Sequence, residues 1–151
     1  MIRWGVAGTS GVSALFAEAM AACDGGEITM VASRDEVRGR RFADDWGIPH
    51  AGDYNDLSTG PVDAVYVATP PSHHYADTQF YLANGKHVLC EKPLATTKFE
   101  AECMAAIAER NDRFLMEAMW CRFLPAYTRL RELLDQRYVG DVVSVEASFG
   151  I

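Results

Sequence analysis

The chain has 151 residues, 49% of them hydrophobic and 23% charged, which suffices for one domain with a sizeable buried core. Its formal net charge of −7 argues against nucleic-acid binding through a general basic surface. No apolar run reaches the length of a membrane span, and Met1-Ile2-Arg3-Trp4 leads into a strand with no secretory leader, so a cytoplasmic protein with no membrane partner is expected.

Ile2 to Ala7 is an apolar run ending at Gly8 and reads as the first strand. Val12 to Ala22 reads as a helix with Leu15, Phe16, Ala19 and Met20 on one face. Ile28 to Ala32 is the second strand, and Glu36 to Trp46 is an amphipathic helix stopped before Gly47 and Pro49. Ile48 to Ala51 is a short third strand, and Tyr54 to Leu57 is one helical turn. Asp63 to Ala68 is continuously apolar after its first residue, as in a parallel strand covered on both faces. Ser72 is expected to cap a helix to Ala83, closed by Gly85. His87 to Cys90 is a strand, and Thr97-Lys98-Phe99-Glu100 is a capping box opening a helix through Arg110. Phe114 to Glu117 is a strand, Leu124 to Tyr138 is mostly helical, and Val142 to Phe149 alternates as a strand does. Cys23, Cys90, Cys103 and Cys121 form no Cys-x-x-Cys pair and read as free thiols. Strands alternating with helices predict an α/β fold, a parallel sheet wound on both faces.

The first strand runs into Gly8-Thr9-Ser10-Gly11-Val12-Ser13. A glycine turn here lets backbone N–H groups approach a pyrophosphate at a helix N-terminus. With Gly8 as the first position of Gly-x-Gly-x-x-Gly, serines fill the second and third, at Ser10 and Ser13. Alone, the motif also fits a plain tight turn. Its place at the first strand–helix junction makes Gly8, Thr9, Ser10, Gly11 and Val12 the candidate pyrophosphate residues.

NAD-binding folds usually carry a carboxylate at the end of strand two, on the ribose 2′-hydroxyl. Ala32-Ser33-Arg34 has a hydroxyl and a guanidinium there. Arg34 can stack on adenine and pair with a 2′-phosphate, and Arg38 follows in a local basic patch. Arg40 and Arg41 read as a solvated helix face, and adjacent Asp35 weakens the distinction. NADP is favoured, with NAD possible.

The next strand ends Thr69-Pro70-Pro71-Ser72-His73-His74, a stiff turn at the carboxyl edge of the sheet, where ligands sit in open α/β folds. Consecutive histidines do not share a helix face and no Cys or carboxylate stands at ligand spacing, so no metal site is expected. One histidine is expected at the cofactor edge. The strand His87–Cys90 ends in Glu91-Lys92-Pro93. Lys92 thus stands at a strand's carboxyl end, and Pro93 can take the cis form and fix its direction. A surface lysine paired with Glu91 is the alternative.

With Asp63 to Ser72, Gly85 to Ala95 and Met116 to Pro125, the chain resembles the N-terminal domain of the glucose–fructose oxidoreductase/inositol dehydrogenase (Gfo/Idh/MocA) family, in its dihydrodiol dehydrogenase and NADP-dependent xylose dehydrogenase branch. The resemblance implies a Rossmann-like domain over 1–123. Residues 124–151 would be a connecting helix and the first strand of a second, α+β domain for substrate and dimer contacts. It implies an NAD(P)-dependent oxidoreductase acting on a sugar, polyol or dihydrodiol hydroxyl, a homodimer at full length. Lys92 would assist proton transfer. Glu91 and Pro93 would lie by the cofactor, with Thr69, Pro70 and His74 along it and Glu117, Trp120 and Arg122 near the nicotinamide. The 151-residue chain is expected to bind cofactor without appreciable turnover. The alternatives are a non-catalytic NAD(P) sensor or scaffold domain and a partner-binding domain.

Overall fold

A computed structural model describes residues 1–148. The chain divides into two units, Met1–Ala118 and Met119–Ile151, a division that falls before the boundary expected after Phe123.

The first unit runs β1 (Ile2–Ala7), α1 (Gly11–Ala21), β2 (Gly26–Ala32), α2 (Glu36–Trp46), β3 (His50–Gly52), α3 (Tyr54–Thr59), β4 (Ala64–Val67), α4 (Pro71–Ala83), β5 (His87–Cys90), α5 (Lys98–Arg110) and β6 (Leu115–Glu117). Every pairing is parallel and the sheet order is β3-β2-β1-β4-β5-β6. This is the doubly wound Rossmann order, which reverses direction between β1 and β4 and opens a crevice at their carboxyl ends.

Side chains alternate across the sheet, so each strand feeds two cores. Val65, Val67, Val88 and Cys90 face Leu57, Leu82 and Met104 on one side. Val6, Val31, Tyr66 and Ala68 face Ala43 and Ile48 on the other, with Phe16 packed against them. Val6, Val31, Val65 and Val67 are wholly buried, each contributing about 1.5–3 kcal/mol relative to exposure. Covering on both faces is why β4 reads as an unbroken apolar run.

Helix starts follow side-chain chemistry. Thr97 Oγ1 accepts from Glu100 N–H, and Glu100 Oε2 accepts from Thr97 N–H, the expected capping box. Ser72 does not cap α4. The helix begins at Pro71, with Pro70 in the cap position, because proline's fixed φ and missing N–H suit the first helical residue.

In the second unit a 3₁₀ turn, Trp120–Phe123, precedes α6, Pro125–Asp135. The helix ends before the expected Tyr138, and Arg137 takes a left-handed φ of 52°. The strand expected over Val142 to Phe149 is absent from its described part: residues 142–148 are exposed and irregular. A strand needs a partner for its backbone groups, and none of these residues pairs with one. Phe149 lies outside the described residues.

Candidate functional site

At the carboxyl end of β1, Gly8 takes φ +107°, and a Cβ there would stand 3.0 Å from Ala68 O. Only glycine fits both the dihedral and the space. Gly8 N–H donates to Ala32 O, tying the turn to the end of β2. Ser10 N–H donates to Ser13 Oγ, and the two hydroxyls lie 3.1 Å apart. The two serines in glycine positions therefore brace the start of α1. Ser10, Gly11 and Val12 are exposed, leaving the helix N-terminus open to a ligand. Thr9 Oγ1 is buried and has no hydrogen-bond partner among the described residues. The open start of α1, beside the orphaned Thr9 hydroxyl, fits the pyrophosphate of a dinucleotide.

Ser33 is buried at the end of β2, and its hydroxyl accepts from Asp35 N–H at 3.2 Å. Asp35 Oδ1 accepts from Arg38 N–H at 3.0 Å and so caps α2. The carboxylate that complicates the choice of cofactor is thus turned toward its own helix. Gly39 lets α2 approach the strand end, since a Cβ there would lie 3.1 Å from Ser33 Cβ. Arg40 and Arg41 pair with Glu36 and Asp45 along the helix surface. Arg34 and Arg38 make no ion pair among the described residues.

Arg34 borders two clefts. One, of about 370 Å³, is lined by Ser33, Gly39, Asp53 and Asp56 among others. Its aspartates also face backbone: Asp53 Oδ1 accepts from Asn55 and Asp56 N–H, and Asp56 Oδ2 from Asp53 N–H. The other, of about 160 Å³, is formed by Arg34, Tyr54, Thr69, Pro70, His73 and Asp77. Arg38 lines neither cleft.

At the end of β4, Thr69 is buried and its Oγ1 donates to Asp77 Oδ2 at 2.6 Å. His74 takes a different place from the one expected. It is 1% exposed, with Nδ1 2.8 Å from Pro93 O and Nε2 2.8 Å from Thr69 O. Both ring nitrogens are taken by backbone carbonyls, so no polar atom is left for a cofactor. His73 lines the cleft instead.

At the end of β5 the Lys92–Pro93 peptide is cis. Lys92 and Pro93 are exposed. No ion pair joins Lys92 to Glu91. Glu91 Oε1 accepts from Tyr66 Oη at 2.6 Å, and Glu91 Oε2 accepts from Lys92 N–H at 3.1 Å. Burial, and then the bond to Glu91, push the Tyr66 phenol well above its ordinary value, so it serves as a donor. Burial pushes the Cys90 thiol up to about 12, which keeps it from acting as a nucleophile. Glu117 Oε1 accepts from Leu94 N–H at 2.7 Å and holds the loop after Lys92.

Trp120 and Arg122 belong to the second unit. Trp120 is exposed, and Arg122 N–H donates to Met119 O. The sequence reading does not single out Tyr54, Tyr66 or Asp77, and of the two adjacent histidines it assigns the cofactor edge to His74, where the cleft is lined by His73. The spacing of His73 and Asp77, four residues apart on one helix face, was a usable signal. So was a tyrosine inside an apolar strand, whose hydroxyl must find a partner.

A family described as "Oxidoreductase family, NAD-binding Rossmann fold" (GFO_IDH_MocA) matches residues 2–119. The trans-1,2-dihydrobenzene-1,2-diol dehydrogenase of Danio rerio is 39% identical over 99% of this chain and 46% of its own length. The Homo sapiens protein of that name is 38% identical over the same shares. The chain spans about half the length of these curated relatives, 46%. A 3-ketoreductase from Actinomadura kijaniata, in complex with NADP and TDP-benzene, superimposes with a TM-score of 0.83 at 34% identity, over 89% of this chain and 42% of that one. A scyllo-inositol dehydrogenase from Lactobacillus casei with bound NAD(H) and scyllo-inositol gives 0.86 at 21% identity, over 93% and 43%, a likeness of fold.

Proposed function

This chain belongs to the Gfo/Idh/MocA oxidoreductase family, and on that premise we propose that it holds NADP for oxidation or reduction at a sugar, polyol or dihydrodiol carbon. The single observation that carries the reading is the position of Lys92. It stands exposed at the carboxyl end of β5, beside a Glu91 carboxylate already bonded to Tyr66 Oη and the Lys92 N–H. With no ion pair to Glu91, its ammonium is available to a substrate oxygen.

Gly8, Thr9, Ser10, Gly11 and Val12 would hold the pyrophosphate, and Arg34 the adenosine end, with Ser33 and Arg38 beside it. Thr69 and Pro70 would wall the cofactor, and Glu91, Pro93 and Glu117 would hold the turn carrying Lys92. The nicotinamide of the bound cofactor supplies the hydride donor or acceptor. As the neutral amine, Lys92 Nζ would accept the hydroxyl proton while a carbinol is oxidised and become the ammonium; in the reverse direction the ammonium would hydrogen-bond the carbonyl oxygen and give that proton back. The unpaired guanidinium of Arg34 and the capping role of Asp35 support NADP over NAD.

In the full-length protein we place this activity in a cytoplasmic homodimer. The 151-residue chain itself binds cofactor and turns over slowly, because Lys92 stands exposed and few groups around it exclude water or orient a substrate. Lys92→Met in an active protein containing this chain tests the reading. The expected result is lost turnover with cofactor binding retained. Unchanged turnover would remove Lys92 from the chemistry.

A further inference from the structure

We propose that His74 is a positioning residue that sets where Lys92 stands relative to the cofactor turn, an inference that rests on the role given to Lys92 above. Thr69 O closes the turn after β4, and Pro93 O lies in the turn after β5. Neither carbonyl receives a backbone N–H among the described residues. Pro70 and Pro71 have no N–H to offer, and His73 N–H goes to Pro70 O. The imidazole of His74 fills both gaps, at 2.8 Å on each side. It sits on α4, is 1% exposed, and spans two turns far apart in sequence, one walling the cofactor and one carrying Lys92.

A buried carbonyl without a partner costs more than a hydrogen bond returns. An apolar side chain at position 74 offers neither turn a donor. Carbonyl oxygens only accept, so making both bonds requires a proton on each ring nitrogen. The two turns carry further ties that His74 does not provide: Thr69 Oγ1 to Asp77, and Leu94 N–H to Glu117. Losing His74 should therefore loosen the Lys92 turn locally and leave the sheet standing.

The 151-residue chain, labelled with ¹⁵N, provides the test. In the unaltered chain, long-range proton–nitrogen correlation should show a proton on each ring nitrogen of His74. A lone pair on either nitrogen leaves one turn untied and overturns the proposal. In His74→Leu, which offers no donor, amide exchange at Leu94 should accelerate by about tenfold, while amides of Val6 and Val31 in β1 and β2 keep their protection. Equal acceleration throughout would reduce His74 to general stability, and no acceleration at Leu94 would remove it from positioning. Lys92→Met should leave this exchange pattern unaltered, so failure of the Lys92 role and failure of the His74 role read out separately.

Discussion

Tyr66 and Glu91 meet across two neighbouring strands: Tyr66 Oη, on β4, donates to Glu91 Oε1, just beyond β5, at 2.6 Å. The ring of Tyr66 is buried and stacks on Phe16 of α1 at a centroid distance of 4.1 Å. A core side chain thereby fixes the carboxylate next to Lys92. Tyr66→Phe keeps the packing and removes the donor, so it should cost about 1–2 kcal/mol in urea unfolding. An unchanged midpoint would show that Glu91 needs no donor from the core.

The same phenol sets an alkaline limit. Its folded-state value is raised, so its contribution is fully present below the ordinary tyrosine value near 10 and lost as pH rises above it. Stability measured from about pH 9 to 11 should fall less steeply in Tyr66→Phe than in the unaltered chain. Parallel curves would place the alkaline loss at another group, such as buried Tyr81, whose phenol burial also raises.

At the opposite end of pH, Arg3 holds Asp63 at the start of β4. The Arg3 guanidinium reaches both Asp63 oxygens, at 3.0 and 2.6 Å, lowering the carboxyl from 3.8 to about 2. Stability from this pair is present above the ordinary carboxyl value and lost as pH falls through about 2. Both side chains are partly exposed, so the effect is modest and salt-sensitive. Asp63→Asn should remove part of the acid-side loss of stability. An identical acid limb in the variant would contradict this.

Gly8→Ala places a side chain at φ +107°, with Cβ 3.0 Å from Ala68 O. It should destabilise the domain by about 1–3 kcal/mol and weaken cofactor binding more than any other single change in the turn. Thermal unfolding and calorimetric titration check the two effects separately.

Much of this was legible in the sequence, for identifiable reasons. Strands β4 and β5 announce themselves because both faces are covered. The first two residues of β2 did not, since Gly26 and Glu27 are not apolar, although they pair with Ile2 and Arg3. The places of Gly8, Arg34 and Lys92 beyond the ends of β1, β2 and β5 were legible because each follows closely on an apolar run. The burial of His74 was not, because it depends on two carbonyls brought together from Thr69 and Pro93. The Val142 strand failed because alternation records a preference, while a strand also needs a partner.

Arg34 carries the distinction between cofactors. Arg34→Ala should weaken NADP binding about 10–100-fold through loss of charge-assisted bonds to the 2′-phosphate, with a smaller effect on NAD. Equal losses for the two would assign Arg34 to adenine stacking alone.

The most direct measurement is calorimetric titration of the 151-residue chain with NADPH and with NADH under one set of conditions. Saturable binding of both, tighter for NADPH, is the predicted result. No binding of either at millimolar concentration would contradict the account at its root, since the Gly8 turn, the open start of α1 and Arg34 would then hold no dinucleotide.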